Sequence, residues 1–324
     1  MSHLLKSRSR NSAFTLIELL IVIGIIGILA TLGAMGAMKV LERSKMVTAR
    51  IEIGQLEAAV SAAKLDLGNV DELPSVIIVY NDLGVFSGKT IIPESAFNKK
   101  LREDTFTTMK KVFGRNFGKH PATNNYDNGA TPPVYTQINW PCPEGKVIQG
   151  MQAYMFWLGG MYSSTGGKYS FSGFSTDKRD PCETSSSKRK GPYFDFDSGR
   201  VKPIGNMPGS TYLTYVNGWE GEYTYFSNSS YKLYANSFIA SPMNPTNDKY
   251  SIDLNSYSAK VMPYVNGSVF FNAKTFQIIG SGQNQMFGPG GAGWTPGSGS
   301  YAIDADGYDD LSNFSSTQLG KKDE

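Results

Sequence analysis

Apolar positions fall into three patterns along this chain. From Leu19 to Met38 they form an unbroken run of uncharged residues. At helical rise, twenty residues span about 30 Å, the thickness of a bilayer's hydrocarbon core. Past Lys39 the pattern becomes amphipathic. Val40, Val47, Ile51, Leu56, Val60, Ala63 and Leu67 recur at roughly helical spacing, so the apolar run continues into a helix with one buried face. From Phe14 to Leu67 that helix would be about 80 Å long, and Gly68 and Pro74 end it.

Beyond Pro74 the periods shorten. Val76 to Tyr80 reads as a strand. Phe97, Leu101, Phe106, Met109, Phe113 and Phe117 predict a helix within Glu94 to Phe117, and Val147, Met151, Tyr154, Met155 and Leu158 predict another within Glu144 to Leu158. The Asn-, Thr- and Pro-rich stretch from Gly118 to Pro143 is loop. From Tyr169 the composition shifts to Ser, Gly, Asn, Tyr and Phe. Thr211 to Val216 and Glu222 to Phe226 alternate as strands, and Ser268 to Phe271 with Thr275 to Ile279 frame Asn272-Ala273-Lys274 as a hairpin. Helices followed by antiparallel strands make an α+β chain.

With 324 residues, 40% of them hydrophobic, the chain is long and apolar enough for one or two domains with a real core. Disorder, collagen and a disulfide scaffold are excluded. The net charge of +3 comes from 31 basic and 28 acidic residues. Lys6, Arg8 and Arg10 precede Ala13 with no acid among them, so without that leader the count is 31 − 3 = 28 basic against 28 acidic. The remainder is nominally neutral, and no nucleic-acid partner is expected. Lys188-Arg189-Lys190 is too short a basic run to change that and reads as a solvated loop.

A basic start followed by an apolar stretch is most often a cleaved secretory signal. Here the run exceeds the usual apolar core of about 7–15 residues, and no small-x-small site closes it. The leader's three charges favour a cytoplasmic N-terminus with the bulk of the chain outside. Glu18 lies at the head of the apolar segment, where a carboxylate costs about 2.5 kcal/mol or more and marks a functional candidate.

Ala13-Phe14-Thr15-Leu16-Ile17-Glu18, with the apolar run after it, resembles the class III signal of type IV prepilins and type II secretion pseudopilins. Gln55-Leu56-Glu57-Ala58-Ala59 through Lys64-Leu65-Asp66-Leu67 to Pro74 resembles the helix exit of the major pseudopilin. The resemblance implies that a membrane prepilin peptidase cuts between Ala13 and Phe14 and methylates the new amino group, leaving the apolar stretch in place. It implies that Glu18 pairs with the Phe14 amino group of a neighbouring subunit during filament assembly, since each charge needs a partner in low dielectric. The implied fold is that of type IV pilins: a membrane-spanning helix packed on a C-terminal antiparallel sheet, here with a large inserted region. The expected divisions are a leader at 1–13, the long helix at 14–68 with its span at 14–38, a variable head region at 69–256 and a C-terminal β region at 257–324.

The resemblance extends to the C-terminus. Phe276-Gln277-Ile278-Ile279, a glycine-rich loop and Asp310-Leu311-Ser312-Asn313-Phe314 resemble the end of the major pseudopilin head, where acids and carbonyls bind calcium. Asp310 aligns with the family acid, and Asn284 stands where the family has Asp. Asp304, Asp306 and Asp309 crowd the same turn, and clustered carboxylate oxygens suit a hard cation needing six to eight ligands. The expectation is a structural calcium held by Asp310, Asp304, Asp306, Asp309 and Asn284, against the alternative of a solvated acidic loop.

Cys142 and Cys182 are the only cysteines. In an oxidising compartment they are expected to form a disulfide closing about 40 residues, with buried thiols as the other reading. His3 and His120 lie at no zinc-ligand spacing from them. No Ser-His-Asp grouping is present, so no enzyme is expected. The expected function is a structural subunit of the bacterial inner membrane with its head in the periplasm. It would self-associate into a type II secretion pseudopilus with the inner-membrane assembly machinery. Alternatives are a type IV pilus major or minor pilin serving adhesion, motility or DNA uptake, and a membrane-anchored enzyme or binding protein.

Overall fold

The structure, a computed structural model, describes residues 16–142, 144–145, 147–204, 212–235, 261–291, 295–299, 302–303 and 305–321. The chain divides into two compact units, residues 1–47 and 48–324. Helix α1, Leu16–Asp66, belongs to both.

In the first unit every described residue through Ser44 is exposed. The leucines, isoleucines and methionines from Leu16 to Leu41 are therefore left uncovered in a single chain, as expected of a helix that is apolar all round and covered by another medium or copy. The Thr31 hydroxyl donates to the Ile28 carbonyl at 2.8 Å, which satisfies the one side-chain donor in the uncharged run.

In the second unit α1 buries one stripe, Ala49, Glu52, Ile53, Leu56, Ala59, Val60 and Ala63, at the i, i+3, i+4 spacing of a packed helix face. Gly68 ends the helix at φ +98°, and a Cβ there would lie 2.8 Å from the Lys111 carbonyl oxygen. Only glycine fits both conditions.

Next come β1 (Val76–Ile78), α2 (Leu83–Phe86) and α3 (Ala96–Phe113). Asp82 and Ser95 cap α2 and α3, accepting from Gly84 N at 2.6 Å and Asn98 N at 3.1 Å. β2 (Val147–Gln149) pairs antiparallel with β1 and leads into α4 (Met151–Gly159), whose nine residues are all buried. β3 (Met161–Thr165) and β4 (Lys168–Ser175) form a hairpin, with the short β5 (Arg189–Lys190) on the far edge of β4. The hairpin turns on Gly166 and Gly167, both at positive φ, as a two-residue loop matching strand twist requires. β6 (Val201–Ile204) pairs with β7 (Tyr212–Tyr215). β8 (Tyr223–Ser227) precedes α5 (Asn228–Ala235), and β9 (Val265–Asn266) pairs with β10 (Val269–Phe270). β11 (Phe276–Gly280) lies between β8 and β12 (Leu311–Ser312), all antiparallel.

Much of the core is aromatic. Phe86, Phe106, Phe113, Phe117, Trp140, Phe156 and Phe174 form a connected set of ring contacts at 5.1–6.4 Å, within the range where edge and tilted arrangements are favourable. Three buried aromatics hold the end of α1 and its exit by donating to main-chain carbonyls. Tyr154 OH donates to Leu56 O at 2.5 Å, Trp157 Nε1 to Pro74 O at 2.9 Å and Tyr225 OH to Leu73 O at 2.7 Å.

A long helix followed by antiparallel sheets is consistent with the expected α+β class. Four expectations need correcting. Val40, Val47 and Ile51, read as part of the buried face of the long helix, are exposed, and Ala49, Glu52 and Ile53 form that end of the stripe instead. The helix expected from Glu144 starts at Met151, because Val147–Gln149 is taken as a strand by β1 and Gly150 turns the chain at φ 55°. The hairpin expected across Asn272-Ala273-Lys274 does not form. The buried Gln277 side chain accepts from Tyr264 N at 2.8 Å and donates to the Tyr264 and Phe271 carbonyls at 2.9 Å. β10 accordingly turns back on β9 over Gly267, and β11 pairs with β8 instead. The division at 256/257 is also no structural boundary, since β8 and β11 lie on either side of it in one sheet.

Candidate functional site

The sequence points to three places: the N-terminal motif, the C-terminal acids and the cysteine pair. Ala13 and Phe14 lie outside the described residues. Glu18 stands in the first turn of α1, where a carboxylate complements the helix dipole. After it the helix stays apolar and exposed to Met38.

Among the described residues the C-terminal acids do not converge as ligands. Asp310 is fully buried. Its carboxylate accepts from Gly288 N at 3.0 Å, Gly282 N at 3.3 Å and the Tyr264 hydroxyl at 3.5 Å. Burial pushes its pKa up to about 8 against the pull of these donors, and neighbouring Asp309 adds in the same direction. Asp309 accepts from Asn284 N at 3.1 Å through Oδ2, and its Oδ1 is buried without a partner. The Asn284 side chain accepts from Met286 N at 2.9 Å, a local turn within its own loop. Asp306 is exposed, and Asp304 lies outside the described residues.

A calcium ligand must present lone pairs to the cation. At Asp310 those lone pairs face N–H and O–H donors, whose positive ends stand where a cation would. Among the described residues no group of three or more His, Cys, Asp or Glu is placed to hold a metal. The expected calcium shell therefore does not fit the described residues. Asp310 instead ties the loop around Gly282 and Gly288 to β12, and a Cβ on Gly282 would come within 2.2 Å of the Asp309 carboxyl carbon.

Cys142 and Cys182 are free thiols, so the expected disulfide is not formed in this structure. Burial raises the pKa of both, and the proximity of Cys142 raises that of Cys182 further. Such surroundings favour the thiol over the thiolate that would attack. Cys142 lines a small apolar cavity with Met155, Phe156 and Phe171.

The most tightly built polar cluster was absent from the sequence reading. Glu52, on the buried stripe of α1, accepts from both Arg200 Nη atoms at 2.8 and 2.6 Å. It also accepts from Tyr215 OH at 2.9 Å and Tyr223 OH at 2.5 Å. Arg200 donates through Nε to Val216 O at 2.8 Å, and its guanidinium carbon lies 4.5 Å from the Tyr215 ring centroid. Burial first and the Glu52 carboxylate second push both phenols upward. The signal that could have revealed this cluster was a lone carboxylate at a buried position of the helical period, between Ala49 and Leu56.

Comparison with family models matches residues 8–34 to the prokaryotic N-terminal methylation motif. The N-terminus carries a prepilin-type signal, of the kind found in type IV pilin-like proteins. The matched segment takes in the leader's Arg8 and Arg10, Ala13, Phe14, Glu18 and most of the exposed apolar part of α1. A membrane anchor of the kind prepilin-like proteins carry fits that helix. The motif also implies processing by a prepilin peptidase and pilus-like assembly. No curated protein and no solved structure matches the chain.

Proposed function

We propose that this pilin-like chain is a pseudopilin. In this reading it is inserted in the inner membrane, cut between Ala13 and Phe14, and polymerised through its N-terminal helix into a type II secretion pseudopilus. The observation that carries the proposal is the methylation motif at residues 8–34 running directly into an exposed apolar helix. The Gln55 to Pro74 resemblance supports the secretion branch. Glu18, in the first helical turn, is the group that neutralises the Phe14 ammonium of the adjacent subunit in a low-dielectric stack. The chain then acts by assembly and performs no covalent chemistry itself.

A second reading, a minor or tip pilin, is favoured by the size of the head. Residues 48–324 form one compact unit, and bulk of that order hinders dense helical stacking. Two experiments separate the outcomes. Mass spectrometry of the chain from membranes should find N-methyl-Phe14 at the mature terminus, and an unprocessed chain would sink the reading. Deletion of the gene should then abolish export of secreted enzymes with surface piliation intact. Loss of piliation or motility with normal export would support the pilin instead.

A further inference from the structure

On the surface of the second unit, a cleft of about 500 Å³ opens between the β3–β4 hairpin and the segment 192–198. That volume lies in the range of specific small-ligand sites, about 300–1,000 Å³. Its apolar wall is aromatic: Phe171, Phe194 and Phe196, with Tyr169 toward the hairpin end. The Phe171 and Phe194 rings lie 4.9 and 4.8 Å from the Phe196 ring, which is buried, while Phe171, Phe194 and Tyr169 are half-exposed. Phe196 and Phe194 in turn rest on Tyr215 at 5.2 and 5.7 Å. The platform is thus backed by the residue that Glu52 and Arg200 hold in place.

The polar wall has both signs. Asp195 and Asp197 line the cleft with Lys168, and all three are exposed. Among the described residues none of the three forms an ion pair. Ser163, Thr165 and Ser170 add hydroxyl-bearing positions. Two carboxylates against one ammonium repel a phosphate or a polyanion. Lys168 on the same wall counts against a site dedicated to a cation. An apolar ligand would leave these polar groups without water or partners.

Flat aromatic faces beside a mixed set of donors and acceptors match a ligand with apolar C–H faces and a rim of hydroxyls. We propose that this cleft binds a neutral oligosaccharide, with Tyr169, Phe171 and Phe194 stacking on sugar rings and Asp195, Asp197 and Lys168 hydrogen-bonding their hydroxyls. The site belongs to the isolated subunit, so it stands or falls independently of the type of filament the subunit builds.

The test uses the full chain in a zwitterionic detergent without a sugar headgroup. Saturation-transfer NMR and calorimetry are run with cellohexaose, maltohexaose and chitohexaose, and with hexalysine as the cationic comparison. At least one oligosaccharide should bind. Tyr169→Ala and Asp195→Asn should each weaken it about tenfold, close to 1.4 kcal/mol. Asp195→Asn alters only an exposed group, so its thermal unfolding should stay that of the wild type and folding cannot account for the loss. Absence of binding by all three sugars at millimolar concentration would overturn the proposal. Binding unchanged in both variants, or hexalysine bound in preference to every sugar, would overturn it equally.

Discussion

Replacing Glu52 by Ala should unlock the second unit. The carboxylate side chain is 9% exposed and that of its Arg200 partner 26%, so solvent screens the pair little compared with a surface bridge. Truncation leaves one guanidinium and the buried phenols of Tyr215 and Tyr223 without their shared acceptor. Removing one partner of a buried ion pair costs about 3–5 kcal/mol, mostly through the stranded charge. At about 2 °C per kcal/mol for a domain of this size, the midpoint should fall by about 6–10 °C. Near-UV circular dichroism of the full chain in micelles would read this cleanly, because residues 16–47 contain no aromatic side chain. Glu52→Gln, which keeps one acceptor, should lose less. The double variant Glu52→Leu with Arg200→Met should recover most of the loss, since an apolar pair needs no compensation. A Glu52→Ala midpoint within about 2 °C of wild type, or a double variant no better than the single one, would refute this account.

Two further outcomes follow from the buried polar groups. Asp310→Ala strands the donors of Gly282, Gly288 and Tyr264 and should cost about 1–3 kcal/mol. Added calcium should move the melting temperature of neither form, and a wild-type rise lost in the variant would restore the calcium shell. Tyr215 and Tyr223 titrate above their unfolded value of about 10 because of burial and then the Glu52 carboxylate. Their contribution is therefore whole below about pH 10 and drains as pH rises beyond it. Melting temperatures across that range should decline less steeply in Tyr223→Phe, and equal slopes would contradict the linkage.

Local pattern carried the reading where it was strong and unopposed. The N-terminal helix, the Ala96–Phe113 helix and the strands at Tyr212–Tyr215 and Tyr223–Ser227 each show one dominant period or alternation. At the C-terminus the pattern misled. Phe271 and Phe276 look like facing ends of a hairpin, but Gln277 supplies ladder-like hydrogen bonds from its side chain, a choice visible only in three dimensions. The acids divide for a related reason: Asp306 and Asp310 are close in sequence, yet Asp310 turns inward to backbone donors while Asp306 faces water. Glu52 and Arg200 are 148 residues apart, so no local signal joins them. Only the misfit of a carboxylate on an apolar stripe hinted that a partner existed.

The anchoring of α1 carries a consequence for how its sequence can drift. Tyr154, Trp157 and Tyr225 grip the helix and its exit through the carbonyls of Leu56, Pro74 and Leu73, atoms that every residue type supplies. Meanwhile Ile51, Ala58, Ala62 and Leu65 face outward. Substitution along that outer stripe leaves the grip untouched. In a filament of the proposed kind, mutations that adjust how neighbouring subunits fit together can therefore accumulate there without loosening the head.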